Sequence, residues 1–114
     1  MRVKKNNLFE NVPKKSADEI FETLIKNNNV RIERIISTGQ NSPEGFWYDQ
    51  DEDEFVLILQ GSAELEFVEG NKISSLRMQK GDWILIPAHV KHRVVSTDKN
   101  IPTIWLAVFI KDAK

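Results

Sequence analysis

Polar and apolar residues alternate along most of this chain, or gather in short apolar blocks bounded by Gly, Pro, Asn and Asp, the pattern of strands and turns. Eight blocks follow one another at regular intervals: "VRIERIIS" from Val30, "GFWYDQ" from Gly45, "EFVLILQG" from Glu54, "AELEFVEG" from Ala63, "KISSLRM" from Lys72, "DWILIP" from Asp82, "HRVVST" from His92 and "TIWLAVFI" from Thr103. The connections between them are too short for helical crossovers, so the pairing is expected to be antiparallel. Gly70 and Asn71 mark a hairpin tip. Only one segment repeats with a helical period. Ser16 and Glu19 have the form of a capping box, and Ala17, Ile20, Phe21, Leu24 and Ile25 follow at helical spacing until "NNN", Asn27 to Asn29,. The expectation is an all-β sandwich or barrel with one short N-terminal helix. Residues 1–29 form an extension and 30–114 the barrel, one domain overall.

The faces of the blocks differ. In Ala63 to Val68, Ala63, Leu65 and Phe67 alternate with Glu64 and Glu66, as in a strand with one wet face,. "FVLILQ" and "TIWLAVFI" are apolar on both faces. So small a domain can cover the second face with another copy of itself, and a homodimer is expected.

Composition narrows the function. The 114 residues carry 16 basic and 17 acidic side chains, a net charge of −1, so no overall field attracts nucleic acid or an anionic membrane. With no cysteine, disulfides, thiolate nucleophiles and thiolate metal sites are excluded. The N-terminal stretch has no apolar run of signal-peptide length and no segment is long enough to span a membrane, so a soluble, cytoplasmic protein is expected. There is no phosphate-cradling glycine loop or nucleophile elbow, and both histidines sit in one loop,.

Glu54 followed by Gly61, and then Gly81, Pro87 and His92 within "GDWILIPAHVKHRV", resemble the two sequence motifs of the cupin superfamily, small β-barrels of the jelly-roll type. The resemblance implies a barrel interior lined by a metal cage of three His and one Glu. This chain has two His in all. The first-motif histidine positions fall on Trp47 and Asp49 in one register, on Tyr48 and Gln50 in the other. His89 replaces the glycine that follows the motif proline by two positions. With Trp47 and Asp49 facing inward and Tyr48 outward, Asp49, Glu54 and His92 are the candidate ligands of a divalent Mn, Fe or Zn. The carboxylates could equally be offset by Arg31, Arg34, Arg77 or Arg93, with no metal. Trp47 and His89 are the further candidates to contact a small-molecule ligand, and Tyr48 or His89 could transfer a proton. Asp51, Glu52 and Asp53 read as a solvated turn. Two functions follow: a small-molecule-binding cupin, with or without a divalent metal, or a metal-dependent oxygenase or isomerase. Assembly alone would leave Glu54 and His92 unexplained.

Overall fold

A computed structural model describes residues 1–112. Its strands are β1 Ile20–Lys26, β2 Val30–Ser37, β3 Asp53–Gln60, β4 Ser62–Glu69, β5 Lys72–Gln79, β6 Trp83–Ile86, β7 Lys91–Thr97 and β8 Thr103–Ile110. They form two antiparallel sheets, ordered β1-β2-β8-β3-β6 and β5-β4-β7, which face each other as a jelly roll. Period-two alternation decides what lies between them. Val56 and Ile58 of β3 and Trp105, Ala107 and Phe109 of β8 point inward, meeting Ala63, Leu65 and Phe67 of β4 with Met78 and Ile86. Fully burying a side chain the size of Ile58 or Met78 stabilises the fold by about 1.5–3 kcal/mol.

Chain connections follow turn chemistry. Gly70 (φ +65°) opens the two-residue β4–β5 turn, as expected where the first central residue must take a positive φ. Gly61 alone separates β3 from β4, at the corner where the chain leaves one sheet for the other, with φ +87°. Its missing side chain matters there: a Cβ would stand 2.7 Å from the Cα of Thr103.

The expected N-terminal helix is absent. Ile20–Lys26 is instead the edge strand β1, and Asn27 to Asn29 turn the chain back into β2, with the Asn27 side chain accepting from the Asn29 and Val30 amides. "IFETLIK" satisfies both periods, and its Ile, Phe and Thr residues suit a pleated surface. Pairing with β2 decides between them, since Glu22 of β1 meets the buried Arg34 of β2 at 2.7 Å. Arg34 also donates to the Leu8 and Glu10 carbonyls, fastening the N-terminal segment to this edge. "GFWYDQ" is likewise not a strand. It is a loop joined to the barrel by one bridge, Tyr48 to His92. No helix among the described residues is long and apolar enough to cross a membrane.

Candidate functional site

The barrel holds a half-open cavity of about 80 Å³. Its walls are mostly apolar, with Val56, Leu65, Ile86, Val94, Trp105 and Phe109 at the interior and Ile35 and Phe21 toward β1 and β2. Tyr48, Gln50, Glu54, His92 and Glu19 supply the polar atoms. Glu54 points inward because it shares parity with Val56 and Ile58. His92 points inward because it lies opposite Phe67 of β4, and directly opposed residues of an antiparallel pair share a face.

Glu54 and His92 form a buried pair, 8% and 5% exposed, with Nε2 of the imidazole 3.4 Å from Oε1 of the carboxylate. The His92 Nδ1 lies 2.9 Å from the Val90 carbonyl oxygen. A carbonyl can only accept, so Nδ1 carries a proton and Nε2 is the nitrogen that titrates. Burial alone would lower the His92 pKa. The hydrogen bonds to Glu54 and Val90 and the negative charges of Glu54 and Asp49 outweigh it, and the net direction is upward,. Gln50 Nε2 donates to the same Glu54 Oε1 at 2.9 Å. Burial, with the charges of Glu19 and Glu54, raises the Tyr48 phenol above its ordinary value. Its ring stacks on His92 at 5.5 Å. Trp105 Nε1 donates to Ser37 Oγ at 3.0 Å, and Ser37 Oγ donates to Glu19, which anchors that carboxylate beside the cavity.

Of the residues proposed from sequence, Glu54 and His92 come together and Asp49 does not join them. The inward register is the one with Tyr48 and Gln50. Tyr48 and His92 exchange both backbone hydrogen bonds, at 2.7 and 3.1 Å. They therefore face the same way, and Asp49 between Tyr48 and Gln50 faces outward. Its carboxylate meets Nδ1 of the exposed His89 at 2.9 Å. His89 adopts φ +67°, the left-handed backbone that suits the glycine it replaces, and its amide donates to the Gln50 carbonyl. Trp47 lies outside the cavity, with the Arg93 guanidinium 5.8 Å from its ring centre. The arginines serve other acids: Arg31 holds Glu33 and Glu52, Arg34 holds Glu22, and Arg93 holds Glu66. Tyr48 and Gln50 were the alternative register. Glu19 and Phe21, expected in a helix, reach the cavity from the start of β1 instead.

A resident metal does not fit these side chains. Zinc sites take at least three protein donors. Here one carboxylate and one imidazole face each other, Asp49 is turned away to His89, and among the described residues no group of three His, Asp or Glu side chains can hold an ion.

The class of protein is thus a small antiparallel jelly roll with an interior carboxylate–imidazole site. Residues 34–109 match the model of the cupin domain, and the chain belongs to that family. A solved structure from Ralstonia eutropha JMP134, named a "putative mannose-6-phosphate isomerase", is 48% identical, with 96% of this chain and 100% of that one covered and a TM-score of 0.90. A cupin superfamily protein from Desulfitobacterium hafniense DCB-2 shares the fold at 20% identity, with 89% and 84% coverage and a TM-score of 0.71. A conserved protein of unknown function from Streptococcus pyogenes does so at 21% identity, with 100% and 92% coverage and a TM-score of 0.75. No curated protein gives a significant match.

Proposed function

We propose that this cupin binds a small molecule in the barrel cavity, with Glu54 and His92 holding the polar end of the ligand and Tyr48 and Gln50 beside them. One observation carries the reading: a buried carboxylate and imidazole face each other at the polar end of an otherwise apolar cavity. Structural ion pairs more often sit where packing closes over them, whereas an apolar pocket with a few convergent polar groups suits a ligand. The test is a screen of small polyols, amines and acids against isotopically labelled protein, read at Tyr48, Glu54 and His92. Compounds that shift these resonances in the wild type and fail to do so in Glu54→Gln support the reading. A screen in which nothing perturbs them removes it.

Isomerase-type chemistry is a second reading, favoured by the facing Glu54 and His92, 3.4 Å apart, and by the name of the 48% identical protein. Such a pair can take a proton from a carbon beside a carbonyl and return it to the neighbouring one. Uptake of deuterium from heavy water into mannose or mannose 6-phosphate would support it. Loss of that uptake in Glu54→Gln would tie it to this site, and no uptake in either sugar would count against it.

The chain is also proposed to pair with a second copy through the outer face of the larger sheet. Phe55, Leu57, Leu106 and Val108 are half-buried there, and Trp83 and Leu85 exposed. Sedimentation of the wild type as a dimer and of Trp83→Glu as a monomer would support this. A monomeric wild type would refute it.

A further inference from the structure

Each ring or amide nitrogen of the cavity's polar residues has a protein partner, and Gln50 Nε2 keeps a second hydrogen,. His92 donates from Nδ1 to Val90 and turns Nε2 to Glu54, Gln50 donates to Glu54, and Trp105 donates to Ser37. The contacts Glu54 makes with Gln50 and His92 both fall on Oε1, which leaves Oε2 to accept from a guest. Neither lysine nor arginine lines the cavity, whereas two carboxylates, Glu19 and Glu54, do. Arg31, 4.1 Å over the Phe109 ring, is held by Glu33 and Glu52.

We propose that the cavity selects compact guests with an apolar body and a single N–H or O–H donor end, an amine or an alcohol, and rejects anions, phosphorylated sugars among them. The inference rests on the cavity being a binding site. An amine or hydroxyl would give its hydrogen to Glu54 Oε2 and lay its carbon body against Val56, Leu65 and Ile86. A carboxylate or phosphate would bring negative charge toward Glu54 and Glu19, and like charges brought this close repel,. The donors that would face it, the second Gln50 hydrogen and the Tyr48 hydroxyl, are neutral and do not offset two carboxylates,.

Four probes on one carbon skeleton test this: isobutylamine, isobutanol, isobutyrate and isobutyl phosphate, each titrated into labelled protein while the Tyr48, Glu54 and His92 signals are followed. The amine and the alcohol should bind at least about tenfold more tightly than either anion. The order of these two tells whether charge or the donor alone is recognised. An anion that binds as tightly as the amine overturns the inference and leaves the cavity a binding site. Four silent probes overturn both. In Glu54→Gln the preference should shrink to about threefold or less, with Glu19→Gln as the second variant should Glu54→Gln fail to fold. A preference that survives in the folded variants would show that the carboxylates are not its source and would sink the proposal.

Discussion

Gly61→Ala tests the corner that places Glu54 on one sheet and the wall of the cavity on the other. Gly61 has φ +87°, and an added Cβ would lie 2.3 Å from Thr103 Oγ1, 2.7 Å from its Cα and 2.9 Å from its Cβ. Rotating the Thr103 side chain relieves only part of this, because the Cα is backbone. Thr103 is fully buried, pairs with Ser37 of β2, and exchanges hydrogen bonds with the Ser62 backbone at 3.3 and 3.2 Å. The left-handed backbone costs a non-glycine residue about 1–2 kcal/mol. Forcing apart a packed contact adds about 1–3 kcal/mol. Together the loss is about 2–5 kcal/mol, a large share of a typical domain's stability of about 5–15 kcal/mol, and the melting temperature should fall by roughly 10–25 °C. Gly70→Ala is the control. Its φ of +65° is similar, yet nothing lies within 4 Å of the added Cβ, so only the backbone cost of about 1–2 kcal/mol applies. Urea unfolding of both variants separates the close approach from the backbone angle. If Gly61→Ala is no less stable than Gly70→Ala, the close approach of Thr103 does not set the cost at this corner.

Three further outcomes follow. The His92 pKa is raised by folding, so its contribution is fully present below the unfolded value of about 6.5 and is lost as pH rises through the folded value; wild-type stability from urea unfolding should therefore fall as pH rises from about 6.5 through the folded value. In Glu54→Gln that fall should vanish, and a variant that keeps it would contradict the pairing. Chelator should leave the melting temperature unchanged, whereas stripping a metal held at 100 times its dissociation constant would remove about 2.7 kcal/mol; a chelator-dependent melt would restore the metal reading. His89→Gly exchanges left-handed strain for chain entropy and loses only an exposed pair with Asp49, so stability should change by less than about 1 kcal/mol and the His92 titration not at all. A shifted His92 titration would place His89 in the site.

Where sequence and structure agree, the signal is local. β2 and β8 occupy the very residues of "VRIERIIS" and "TIWLAVFI", and Gly61 and His92 stand where the motif spacing put them. Where they disagree, the deciding contact is distant in the chain. "IFETLIK" fits a helix as well as a strand until Glu22 meets Arg34 and the β1–β2 ladder forms. The inward face of residues 47–50 is expected at Trp47 and Asp49 from the motif spacing, four residues intervening between Asp49 and Glu54, and spacing counted across an acidic turn does not fix which side chains face inward. The bridge between Tyr48 and His92 sets it instead. Hence Asp49 was exchanged for Gln50 and Trp47 for Tyr48, and with them went the third metal ligand. The retained Glu and His of the motifs were legible; what partners them was not.

Glu54 and His92 pair at the head of the cavity, 3.4 Å apart. Nitrogen NMR of the His92 ring across a pH titration tests this directly, in wild type and in Glu54→Gln. The prediction is a proton on Nδ1 throughout and a pKa above about 6.5 in the wild type. It should fall in Glu54→Gln, where the carboxylate no longer opposes burial. A wild-type pKa at or below about 6.5, or one that Glu54→Gln leaves unmoved, would contradict the account.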